Sequence, residues 1–171
     1  IGAIRLRGER MAGLYPQDAA VPASGTTLQF DAVPTALRYV VTVEDPTGQM
    51  VFQAASESST VPVARGILLP GTRYSWHVRT VTAAGWPLEG VASFATLDEQ
   101  AAREWRALKD GVERARDVPS LSLLAEVERG LGLRAEARET LRLALDMSPD
   151  SPDLTQRAEA PLREFRATDV R

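Results

Sequence analysis

Leu68-Leu69-Pro70-Gly71-Thr72-Arg73-Tyr74 runs directly into Ser75-Trp76-His77-Val78-Arg79-Thr80-Val81, and this stretch decides the fold of the first half of the chain. Pro70 and Gly71 punctuate a turn. Tyr74, Trp76 and Val78 then fall on one side of an extended chain, with Ser75, His77 and Arg79 on the other. The same period of two recurs upstream. Over residues 38–44, Tyr39, Val41 and Val43 share a face, while Arg38, Thr42 and Glu44 take the opposite one. Asp45-Pro46-Thr47-Gly48 reads as a turn, because Pro46 fixes its own φ and Gly48 frees the fourth position. Residues 50–54 follow as a hairpin partner, 27–30 form a short strand broken by Ala32-Val33-Pro34, and 90–96 supply a last strand. Several short strands separated by turn residues predict an antiparallel β-sandwich.

The L-x-P-G-T-x-Y pattern at 68–74 resembles the entrance to the sixth strand of a fibronectin type III domain. The resemblance implies that Tyr74 hydrogen-bonds back to nearby backbone, the tyrosine corner of sandwich folds. It covers residues 14–97. Phe30 stands where that family usually has a core tryptophan on the second strand. Residues 1–13 match no part of the pattern, although Ile4 and Leu6 alternating with Arg5 and Arg7 would suit an edge strand. The expected first domain is therefore 1–97.

After Leu97 the apolar period lengthens to about 3.6 residues. Thr96 and Glu99 have the spacing of a capping box, and Asp98 offers a second cap. Ala101, Trp105, Leu108, Val112 and Ala115 predict one helical stripe. Pro119 ends that element and can open the next. Helices are expected at 120–131 and 134–147, joined at Gly132, with another from Ser151-Pro152-Asp153 that Pro161 should break. Within 118–151, Leu121, Leu124, Ala125, Gly132, Ala137, Leu141, Ala144 and Pro149 place small and bulky residues as one tetratricopeptide repeat does. Alanines let two antiparallel helices approach closely while leucines fill the gaps. Glu128 departs from the resemblance, which calls for tyrosine there. The fold class is thus multidomain β + α. A fibronectin type III-like sandwich precedes a helical region, 98–171, holding a tetratricopeptide-like hairpin with flanking helices.

Composition narrows the functions. The 171 residues are 44% hydrophobic with a formal charge of −3. Split at Leu97, the first part carries 7 acids and 7 bases and the rest 16 acids and 13 bases, so neither part has the basic surface that nucleic acid requires. Lys109 is the only lysine beside 19 arginines. GC-rich coding, which also favours Ala, accounts for that bias better than phosphate binding. No cysteine is present, which removes disulfides and thiolate chemistry. No run of 18 apolar residues occurs, so direct membrane insertion is not expected. The chain starts at Ile1 rather than Met and reads as a fragment or processed form, with any signal peptide or anchor upstream.

Catalytic groups are sparse. His77 is the single histidine and is expected on the outward face of a strand beside Arg79. Glu44 and Asp45 should point to opposite faces, which does not suit paired acid–base work. Asp146, Asp150 and Asp153 lack the glycine and final glutamate of a calcium loop. No metal, cofactor or enzymatic activity is expected. Two features suit binding. Trp86, in the loop before the last strand, either folds onto the protein or meets a partner. The tetratricopeptide resemblance places groove-lining positions at Ser122, Glu126 and Arg129. The expected function is a non-catalytic module binding a protein or peptide, in the extracytoplasmic (periplasmic) part of a membrane-anchored bacterial signalling protein such as an anti-sigma regulator. The alternatives are a carbohydrate- or cell-wall-binding module, with Trp86 as a stacking platform, and a cytoplasmic adaptor.

Overall fold

The alternating stretches form strands and the 3.6-period stretches form helices. In a computed structural model of the chain, residues 10–82 and 87–159 are described. Seven strands come first: β1 Ala19–Val21, β2 Thr27–Gln29, β3 Ala36–Glu44, β4 Met50–Ser56, β5 Thr60–Pro62, β6 Arg73–Thr82 and β7 Glu89–Thr96. Four helices follow: α1 Glu99–Ala115, α2 Val118–Gly130, α3 Arg134–Met147 and α4 Pro152–Glu159. The chain divides into two compact units, Ile1–Glu99 and Gln100–Arg171.

In the first unit a five-stranded sheet has the order β1-β7-β6-β3-β4, and β2 pairs with β5 in a second sheet. All pairings are antiparallel except β1 with β7, where Ala19, Ala20 and Val21 run beside Phe94, Ala95 and Thr96. The inward residues of the long strands fill the core: Tyr39, Val41 and Val43 of β3, and Tyr74, Trp76 and Val78 of β6, meet Leu28, Val61 and Phe94. Phe30 is buried and sets its ring edge against Tyr39, with centroids 4.7 Å apart. The indole of this core stands on β6, where Trp76 is fully buried and its N–H donates to the Pro16 carbonyl at 2.8 Å.

The corner that the 68–74 pattern implied is present, as the Tyr74 hydroxyl accepts the Leu69 backbone N–H at 2.8 Å. Tyr39 makes a similar bond, accepting from Val33 N–H at 2.8 Å. The β3–β4 turn is fixed by Asp45, whose Oδ1 accepts from Thr47 N–H, the Thr47 hydroxyl and Gln49 N–H. These bonds, the Thr47 hydroxyl foremost, hold the Asp45 carboxyl below its ordinary range. Gly48, at φ 81°, closes the turn.

Three expectations need correction. Thr96 is not a helix cap. It is buried at the end of β7, where its hydroxyl donates to Leu69 O at 2.6 Å and accepts from Thr72 N–H at 2.9 Å. In α1 the buried positions are Ala102, Trp105 and Val112, whereas Ala115 is exposed. Trp105 and Val112 of the predicted stripe are thus buried, with Ala101 and Leu108 half-buried. Strands β1 and β5 were not foreseen. At three residues each they are too short for a period to show. Residues 1–9 and Pro161 lie outside the described residues.

Candidate functional site

Asp117 opens α2 by accepting Ser120 N–H on Oδ1 at 2.8 Å, and Pro119 occupies the first turn, where its missing N–H costs nothing. Leu121, Leu124, Ala125 and Glu128 then turn inward at three- and four-residue steps. The helix ends at Gly130 and the chain turns at Gly132, φ 78°, with Gly132 N–H donating to Arg129 O and Leu133 N–H to Glu128 O. In α3, Ala137, Thr140, Leu141 and Ala144 face inward. Ala125 and Ala144 have no exposed surface, so the two helices pack with small residues at their closest approach. Ser151 accepts Leu154 N–H at the start of α4, and Leu154 is buried.

One member of the α2 stripe is a carboxylate. Glu128 is entirely buried, a costly placement unless its oxygens are satisfied. Its Oε1 accepts the Trp105 indole N–H at 3.0 Å, and its Oε2 accepts the Thr140 hydroxyl at 2.7 Å. The residue that departs from the tetratricopeptide pattern therefore ties α1, α2 and α3 together. Its signal was legible as an acid at an apolar position of the stripe. The Trp105 hydrogen bond runs within the helical unit. Lys109, one turn along α1, sits 5.2 Å above the Trp105 ring.

Glu136 is the second acid here, and its Oε2 is buried without a hydrogen-bond partner. Burial chiefly holds its carboxyl above the ordinary value of 4.5; the Glu128 charge adds to this, while its own backbone N–H and Lys109 oppose it. The folded chain thus holds this proton more tightly than the unfolded chain. That contribution is fully present below pH 4.5 and is lost as pH rises through the higher folded value. Glu136→Gln should consequently stabilise the helical unit at neutral pH, with the gain vanishing below pH 4.5. Urea midpoints measured across pH for both chains check this, and a pH-independent difference would refute it.

The three helix residues singled out from sequence lie together on α2, with Ser122 half-buried, Glu126 exposed and Arg129 half-buried. Glu126 is engaged twice, by Arg129 at 3.3 Å and by Arg157 of α4, which also reaches Asp153 at 3.3 Å. Two acids and two arginines balance on this face, and α4 contributes half of them. Such partly exposed pairs are worth about 0.2–1 kcal/mol each and weaken with salt. Sequence reasoning missed Arg157, because it belongs to a different helix, and Leu123, Leu143 and Met147. These three are exposed apolar residues on the hairpin. Leu143 and Met147 are four residues apart, one turn on the same flank of α3. Trp86 lies outside the described residues.

The sandwich offers less. His77 Nε2 lies 3.7 Å from Glu44 Oε2, and Arg79 Nε lies 3.6 Å from Glu89 Oε1, in partly exposed pairs. A cleft of about 840 Å³ is lined by Arg10, Met11, Leu14, Gln17, Glu89 and Val91 among others. Among the described residues no aromatic is exposed, so none of them gives this surface a stacking platform. Nor do the described residues include a group of three or more His, Cys, Asp or Glu placed to hold a metal. No helix among them is long and apolar enough to cross a membrane.

No family model matches the chain, and no curated protein matches it. Solved structures do. CopC from Methylosinus trichosporium OB3b is 20% identical with a TM-score of 0.42, covering 53% of this chain and 94% of that one. FN3tt is 18% identical, TM-score 0.37, covering 52% of this chain and 95% of that one. An Fn3-like protein from Clostridium thermocellum is 22% identical, TM-score 0.34, covering 54% of this chain and 98% of that one. The likeness thus reaches β-sandwich domains over about half of this chain.

Proposed function

We propose that the chain is a non-catalytic protein-interaction module whose α2–α3 hairpin is a tetratricopeptide-like unit. The observation that carries this reading is the exposure of Leu123, Leu143 and Met147 on a hairpin whose other leucines are mostly buried. Exposed apolar side chains on the hairpin suit a peptide or protein partner that covers them. Groove-lining Ser122, Glu126 and Arg129 are joined in this reading by Arg157. In its finer form, the chain is the extracytoplasmic part of a membrane-anchored bacterial signalling protein such as an anti-sigma regulator. That form rests on the pairing of sandwich and helical repeat alone, an analogy at the level of folds.

The test uses the tagged full chain against an envelope fraction of the source organism, followed by titration of whatever purified partner is recovered. Leu143→Ser and Arg129→Ala should each weaken binding about fivefold or more, equivalent to about 1 kcal/mol. Trp86→Ala, at the loop position suggested by sequence, is tested alongside. A partner whose affinity is indifferent to all three substitutions would remove this surface from consideration.

A further inference from the structure

Strand β4 is one edge of the five-stranded sheet, the other being β1. The two edges are built differently. β1 is three residues long, one of the ways a protein guards an exposed edge. β4 is seven residues long and reads Met50-Val51-Phe52-Gln53-Ala54-Ala55-Ser56, with no charge and no proline. Its pairing with β3 is regular from Phe52 to Ser56, and the one register shift lies at the Met50 end, between Val43 and Glu44. Alternate residues of such an edge turn their N–H and C=O outward with no strand to receive them. Phe52 and Ala54 pack on the core yet are only half-buried, and Met50 is 53% exposed.

We propose that two copies of this chain join β4 to β4 in antiparallel register across a two-fold axis at Gln53, fusing their five-stranded sheets into one. The occupant is a second copy because the strand is complementary to itself. Gln53 is the middle residue of β4, so this axis pairs the strand along its whole length. It sets Phe52 against Ala54, Val51 against Ala55 and Met50 against Ser56 of the other copy, a larger side chain beside a smaller one each time. Glu57, the nearest acid after the strand, meets Gln49 rather than another acid. Opposed residues share a face of the sheet, so each Phe52 extends the half-covered apolar flank of the other core. The contact is isologous and closes at two copies, leaving no β4 edge for further addition and only the short β1 strand at each end of the fused sheet. This inference is independent of the helical surface proposed above.

The absence of cysteine makes the test clean. Opposed residues of an antiparallel pair have Cα atoms about 4.5–5.5 Å apart, within disulfide reach. Gln53→Cys in the full chain should therefore oxidise to a covalent dimer much faster than Ala55→Cys, whose two copies stand about four residues apart along the strands. Mixing Val51→Cys with Ala55→Cys should give the heterodimer. Sedimentation equilibrium of the unmodified chain should show a weak, concentration-dependent dimer, as expected of a contact below about 1,200 Å². Gln53→Lys, which brings like charges together on the axis, should abolish it without lowering the melting temperature, since Gln53 is exposed. A monomer at every concentration, open-ended polymers, or equal oxidation of the two single-cysteine chains would overturn the proposal. So would an extended peptide that saturates β4 while no dimer is seen.

Discussion

A Trp105→Ala chain should lose about 3–5 kcal/mol of stability in its helical unit, the range for deleting a large buried aromatic. Trp105 is 7% exposed, so the substitution empties space that its neighbours line. A second cost comes from Glu128, whose Oε1 loses its indole donor while staying buried. Trp105→Phe separates the two. It keeps a six-membered ring in place while removing the N–H together with the pyrrole part of the indole, and should cost less than alanine, about 1–3 kcal/mol. Urea denaturation followed by the helical far-UV signal measures both. If alanine costs no more than phenylalanine, Trp105 is not the packing centre that its burial implies.

Tyr74→Phe acts on the other unit and through a single atom. The ring stays, stacked on Phe94 at a centroid distance of 5.5 Å, while the hydroxyl that receives Leu69 N–H disappears. Leaving one partly buried donor unmatched should cost about 1–3 kcal/mol. For a domain of this size that lowers the melting temperature by about 4–8 °C per kcal/mol. Differential scanning calorimetry of the full chain checks it. An unchanged sandwich transition would mean that water replaces the hydroxyl at no loss, and that the corner is not stabilising.

The long elements were legible because burial acts through a period. The faces of β3 and β6 and the limits of α3 follow from the spacing of their apolar residues. Three-residue strands carry no such signal, and only their partners define β1 and β5. Thr96 shows a different difficulty. A hydroxyl three residues before a glutamate suits a capping box, but the same hydroxyl can serve a strand end when Leu69 and Thr72 lie beside it. On the helices, Ser122, Glu126 and Arg129 could be grouped from one helix's spacing. Arg157 could not, because its link to Glu126 spans 31 residues and exists only once α4 is in place. Glu128 was visible as an anomaly, but its partners Trp105 and Thr140 come from other helices.

The parallel pairing of β1 with β7 decides how the sandwich answers tension. The chain enters the sheet through β1 and leaves it through β7, two strands that run in the same direction side by side. A pull on the preceding segment and an opposite pull on α1 therefore draw the two strands past each other lengthwise. Their hydrogen bonds are loaded together in shear instead of parting one after another, and β7 is further anchored by its ladder to β6 and by the Thr96 hydroxyl. Force reaching this unit from its two ends is therefore shared by several hydrogen bonds at once.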